Sequence, residues 1–149
     1  MTIFEDLKPF SYFGRWQDVL LGVGWLGVDH PYPRGPVSKE FFGALMRLLV
    51  DPWQPLVLAG RATCPFCAFS GGPGSLTYSG MTVTLGSANL LVPATGMHVF
   101  VAPSMIVHYI DAHEYCPPAV YREAVLRSPS MKSMGYMKEL KTRGILVEK

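Results

Sequence analysis

Two cysteines and two histidines stand at a spacing that suits a metal ion. Cys64-Pro-Phe-Cys67 holds two thiols on one short loop, and His108 and His113 follow later in the chain. A Cys-x-x-Cys pair followed by His-x-x-x-x-His lies within the range of zinc modules. Thiolate sulfur and imidazole nitrogen are the usual ligands of tetrahedral Zn²⁺. We therefore predict a structural zinc site with Cys64, Cys67, His108 and His113 as its ligands.

The position of the second histidine limits this prediction. Residues five apart on an ideal helix lie roughly 140° apart around its axis. A helix that carries both imidazoles must therefore end or loosen before His113, or only one of them binds. His98 is the second choice for this ligand, and Cys116 is a further option, although it fits an ordinary buried thiol better.

Two other functions fit the same residues. Pro65 between the cysteines is also typical of a thiol–disulfide redox pair, but a glycine-rich stretch follows Cys67 where a redox motif would open a helix. A catalytic zinc keeps one open position and needs a base, and Asp111 or Glu114 could supply one in a zinc-dependent hydrolase or transferase. Because four ligands close the site and no hydrolase motif is evident, a non-enzymatic protein is the preferred interpretation.

The pattern of apolar residues predicts the elements that position these side chains. A helix begins after the N-cap residue Ser38 and ends at Asp51-Pro52. Val19–Leu26 is a predicted strand, and Trp53–Gly60 is predicted as a short strand or an extended segment. The other predicted strands are Leu76–Tyr78, Met81–Leu85, Ala88–Val92 and His98–Val101, and the other predicted helices are Met105 to about Tyr115, Ala119–Arg127 and Met131–Thr142. The sequence thus predicts an α+β fold in which an antiparallel β-meander, or successive hairpins, packs with three to four helices and a zinc knuckle.

Composition narrows the class of protein. The 149 residues fit a single zinc-stabilised domain, 1–149, and 49% hydrophobic against 16% charged residues predicts a substantial core. A formal net charge of +2 is too small to indicate a nucleic-acid or membrane surface. An odd number of cysteines and the lack of a leader or a long apolar run predict a cytoplasmic protein with no membrane contact.

Motifs along most of the chain resemble a family of small bacterial proteins of uncharacterised function. They occur there in the same order: Asp6-Leu-Lys-Pro-Phe-Ser-Tyr-Phe-Gly14, Val23-Gly-Trp-Leu26, His30-Pro-Tyr-Pro33, Cys64-Pro-Phe-Cys67, and His108-Tyr109 with His113, Tyr115 and Pro117-Pro118. The resemblance implies a compact cytosolic protein and an association with toxin or defence loci, but no reaction. Members often have a basic residue where Cys116 stands, which implies that Cys116 is not a ligand.

These observations together predict a protein-binding role. A closed metal site without a catalytic set, and a surplus of aromatic and methionine side chains, favour a small zinc-binding protein–protein interaction module. Its partner would be another protein, such as a bacterial toxin that it neutralises as an immunity or antitoxin-like protein. The expected state of the protein itself is a monomer or a weak homo-oligomer.

Overall fold

The computed structural model describes residues 6–10, 16, 18–54, 63–67 and 72–145. The greater part of Trp53–Gly60, the predicted short strand or extended segment, lies outside these residues. Within the described part of the chain, no helix is long and apolar enough to cross a bilayer.

Nine elements follow one another along the described chain. The strands are β1 (Leu20–Gly22), β2 (Ser75–Tyr78), β3 (Met81–Thr84), β4 (Asn89–Pro93) and β5 (Val99–Pro103). The helices are α1 (Lys39–Leu49), α2 (Ile106–His113), α3 (Ala119–Arg127) and α4 (Met134–Thr142). The predicted α+β class is confirmed; division into a single domain stays a prediction.

The strands form two sheets. β2 and β3 pair as an antiparallel hairpin of their own, while β4 and β5 form a second antiparallel hairpin to which β1 adds in parallel, giving the order β1-β5-β4. The four later strands are therefore successive hairpins and not one continuous meander. Burial explains the division, because every residue of β4 and β5 is buried whereas β2 and β3 keep exposed positions along their length.

The predicted strand Val19–Leu26 is shorter in the structure and ends at Gly22. Gly24 has a positive φ of 81°, and a Cβ atom there would lie 2.9 Å from the side chain of Ile106. The chain thus leaves the sheet at Gly24, where its backbone packs closely against the first residue of α2.

Helix caps account for where two of the helices begin. The Ser38 hydroxyl accepts a hydrogen bond from the amide of Phe41 (3.1 Å), as predicted for the start of α1. Ser133 caps α4 in the same way through the amide of Tyr136 (3.2 Å), so this helix begins three residues later than predicted. Met134 is 91% exposed, whereas Tyr136 and Leu140 are fully buried in the core.

Two groups of buried apolar side chains form the core. The larger one brings together α1, α2, α3 and the inner faces of both sheets, and it includes Cys64 and Tyr109. The smaller one surrounds Phe10 and Trp25, whose ring centroids are 4.8 Å apart. Phe10 therefore anchors its part of the N-terminal segment to the core. Because α2 follows β5 after only two residues, the core fixes the direction in which His108 points.

Candidate metal centre

The four side chains predicted as ligands lie together in one cluster. The Sγ atoms of Cys64 and Cys67 and the ring nitrogens of His108 and His113 are all within 4.8 Å of one another. Cys67 Sγ lies 3.3 Å from His108 Nε2 and 3.6 Å from His113 Nε2, and Cys64 Sγ lies 3.4 Å from His113 Nε2. Tetrahedral zinc with ordinary Zn–S and Zn–N bonds places such atoms about 3.6 Å apart. The three sulfur–nitrogen separations therefore fit one ion bound within the cluster.

The end of α2 brings the two imidazoles to the same place. The sequence argument required α2 to end or loosen before His113; in the structure His113 is the last helical residue, so the helix ends at His113 itself. Glu114 adopts the left-handed conformation (φ 59°), and its amide donates to the carbonyl of Tyr109, five residues back instead of four. The last turn is thereby widened, and the rings of His108 and His113 meet with centroids 5.0 Å apart.

The cysteine side of the cluster is a tight turn. The amide of Cys67 donates to the carbonyl of Cys64 (3.4 Å), which returns the second thiol toward the first. Burial raises the pKa of the Cys64 thiol, while hydrogen bonds from the amides of Phe66 and Cys67 oppose that rise. These amides would stabilise a metal-bound thiolate. The three cysteines of the chain form no disulfide.

Aromatic side chains cover the outer side of the cluster. The Phe66 ring, between the two cysteines, lies 5.2 Å from the His113 ring and 5.4 Å from the Tyr32 ring. The Tyr32 hydroxyl donates to the carbonyl of His113 (2.9 Å). The His30–Pro33 loop is thus anchored by Tyr32, while His30 itself is exposed. Tyr32 joins the cysteine turn to the end of α2.

Replacing Tyr32 by phenylalanine is expected to weaken zinc binding by about tenfold, because the hydrogen bond that holds the His113 backbone is lost. The free energy of unfolding should fall by about 1 kcal/mol. Competition with a chromophoric chelator measures the affinity. Tyr78→Phe is the matched control, since the Tyr78 ring packs on Phe42 away from the cluster; an equal loss in both variants would contradict the role given to Tyr32.

The alternative ligands lie outside the cluster. His98 is exposed in the turn before β5. The Cys116 sulfur faces the carbonyl of Pro117 at 3.7 Å. Asp111 is exposed, and the exposed side chain of Glu114 lies 4.0 Å from Arg34. Among the described residues, therefore, no carboxylate joins the two thiols and two imidazoles, and the set resembles a closed site more than an open catalytic one.

The histidines give the folded protein a defined response to acid. Burial, followed by the neighbouring His113, lowers the pKa of His108, and burial, followed by Arg34, lowers the pKa of His113. Histidines in the unfolded chain titrate near pH 6.5, about the model-peptide value. Below that pH the unfolded state binds protons that the folded state resists, so stability is present above it and is lost as the pH falls.

We accordingly expect urea unfolding to show a lower free energy of unfolding at pH 5.5 than at pH 7.5, with or without zinc. Bound zinc acts in the same direction, because it requires neutral imidazoles. His98→Ala should leave the difference unchanged, since His98 is exposed. Equal stability at both pH values would contradict the environment described for His108 and His113.

Most of the chain matches a known protein family. A family model described as "Domain of unknown function (DUF7919)" matches residues 2–126. The chain belongs to this DUF7919 family. The DUF7919 match includes Cys64, Cys67, His108 and His113, and it ends near the last turn of α3. Searches of curated proteins and of solved structures find no significant match. The expected membership of an uncharacterised family is confirmed, while the particular motifs that define it stay a prediction.

Sequence reasoning found the four cluster residues but missed their neighbours. Tyr32 and Phe66 were visible only as parts of the His-Pro-Tyr-Pro and Cys-Pro-Phe-Cys motifs, and Gly72 only as one of several glycines in a loop. An aromatic residue inside a metal knuckle is a usable signal for a ring that covers the site. Nothing in the sequence indicated that Gly72 approaches Cys64, because this contact depends on the folded loop.

Proposed function

We propose that this protein is a zinc-stabilised protein-binding module. Its Zn²⁺ ion would be held by the Sγ atoms of Cys64 and Cys67 and the Nε2 atoms of His108 and His113. The observation that supports this most strongly is the convergence of these atoms at separations of 3.3 to 3.6 Å for the three closest sulfur–nitrogen pairs. When bound, the ion would act as a cross-link between the cysteine turn and the end of α2.

Burial supports a structural role for the ion. Cys64 is 3% exposed and His108 is 5% exposed, so two of the four ligands belong to the core. Four protein ligands leave no position for a substrate or a water molecule. A reducing compartment such as the cytoplasm would suit the site, because both cysteines must be thiolates to bind zinc.

Removal of the metal tests this role. Treatment with a strong chelator is expected to lower the melting temperature by roughly 10 °C or more, since a site of this kind contributes about 4 kcal/mol when free zinc is a thousand times its dissociation constant. Added Zn²⁺ should restore the melting curve, and Mg²⁺, which prefers oxygen ligands, should not. A fold that stays intact while a hydrolytic or transfer activity disappears would support an open catalytic site instead.

We further propose that the module binds a partner protein. In the most specific version of this proposal, the partner is a toxin that the module neutralises as an immunity protein. Exposed apolar side chains support it, among them Val50 (49%) and Leu126 (50%). Co-purification with the product of the neighbouring gene, followed by calorimetry with the purified pair, tests it. A monodisperse monomer that binds no such product at micromolar concentration would count against it.

A further inference from the structure

An apolar groove runs between α1 and α3. It encloses about 510 Å³. Its lining is mostly apolar and includes Ala44, Leu48, Val50, Val125 and Leu126. Leu126 and Val50 are each about half exposed at its rim. None of the metal-centre residues lines this groove, so the groove is a separate site from the metal centre.

A smaller, cationic cavity lies next to the groove. Ser128 and Pro129 line both spaces, and the second encloses about 260 Å³. Its lining includes the side chains of Arg127 and Arg143. The Nε atom of Arg143 is buried and has no hydrogen-bond partner among the described residues, although the other nitrogens of this guanidinium donate to Glu139 and to the Ala94 carbonyl.

Positive charge on this surface is only partly neutralised. Arg47 lines the apolar part and Arg127 the cationic part, and both are exposed. No ion pair within the described residues involves either of them. Glu139 is the acidic residue in the lining of the two cavities, and it is already paired with Arg143. The surface therefore combines apolar side chains with two exposed guanidinium groups, those of Arg47 and Arg127, that form no ion pair within the described residues.

We propose that the α1–α3 groove, together with the neighbouring cationic cavity, binds a peptide segment that combines apolar and acidic side chains. The apolar side chains would fill the space beside Leu126 and Val50, and a carboxylate would pair with Arg127. Charge complementarity favours this occupant, since desolvated carboxylate–guanidinium pairs form directional hydrogen bonds and direct encounter. The inference rests on the proposed protein-binding role and names the surface and the chemistry of the partner.

Selection from a phage-displayed random-peptide library on the zinc-loaded full chain tests the proposal. Enriched peptides should contain apolar residues next to Asp or Glu, and a synthetic copy should bind in fluorescence anisotropy. Leu126→Asp and Arg127→Glu should each weaken that binding by about tenfold or more. Met97→Asp is the control, because Met97 is 60% exposed and lines neither cavity; its binding should match that of the unchanged chain.

Several results would overturn the proposal: no enriched peptide, enriched peptides without carboxylates, or a peptide that binds Leu126→Asp as tightly as the unchanged chain. Self-association in sedimentation velocity that Leu126→Asp abolishes would replace the peptide by a second copy. Zinc content and melting temperature are recorded for every variant. If the protein contains zinc but binds no peptide, the groove proposal alone is refuted. If the purified protein takes up no zinc and still binds the peptide, the metal assignment alone is refuted.

Discussion

Cys64→Ser is expected to empty the metal centre and to lower the melting temperature by roughly 10 °C or more. A neutral serine hydroxyl is a poor ligand for zinc, and the remaining three groups hold the ion far more weakly. Cys64 is also buried, so the change leaves a polar group in the core in place of a soft sulfur. Elemental analysis and thermal denaturation of the same samples measure both effects.

The third cysteine supplies the control for this substitution. Cys116 is half-buried and lies outside the cluster, so Cys116→Ser should retain one zinc per chain and almost all of its stability. If Cys64→Ser lost its zinc at an unchanged melting temperature, the ion would have no structural role. Full zinc content in Cys64→Ser would remove Cys64 from the ligands.

Gly72→Ala is expected to destabilise the protein by about 2 to 4 kcal/mol and to weaken zinc binding by about tenfold. Gly72 has a φ of 93°, and a Cβ atom there would lie 2.9 Å from the Cβ of Cys64 and 3.6 Å from His108 Nε2. The methyl group would therefore strain the backbone and also push the first cysteine away from its place in the cluster. Urea unfolding and chelator competition measure the two effects separately.

Gly80→Ala is the control that separates the backbone strain of a positive φ from the steric contact with Cys64. Gly80 has a similar φ of 81° in the turn between β2 and β3, but a Cβ atom there would meet nothing within 4 Å. This variant should lose only about 1 to 2 kcal/mol from the unfavourable φ and should bind zinc normally. Equal losses of zinc affinity in the two variants would show that Gly72 does not support the metal centre.

Local chemistry made part of this structure predictable. Ser38 caps α1 as its hydroxyl and position require, and α3 has its predicted bounds because Pro117-Pro118 and Ser128-Pro129 delimit it. The four cluster residues could be chosen because few combinations of residue types serve as zinc ligands. Each of these predictions depends on neighbours in sequence or on the chemistry of a side chain.

The other features of the structure could not be predicted from the sequence because they depend on long-range packing. The parallel pairing of Leu20 with Val99 joins parts of the chain that are distant in sequence, so no turn motif between the two strands could predict it. The conformation of Glu114 at the end of α2 is accompanied by contacts of the Tyr32 loop, where the amide of Gly35 donates to the Glu114 carbonyl (3.0 Å). The separation of the two hairpins into different sheets likewise depends on which faces the helices cover.

X-ray absorption at the zinc edge of the purified protein tests the central claim most directly. The account predicts one zinc per chain with two sulfur ligands at about 2.3 Å and two nitrogen ligands at about 2.0 to 2.1 Å. A single sulfur ligand, an oxygen ligand in the fourth position, or a protein that takes up no zinc would contradict the closed site formed by Cys64, Cys67, His108 and His113.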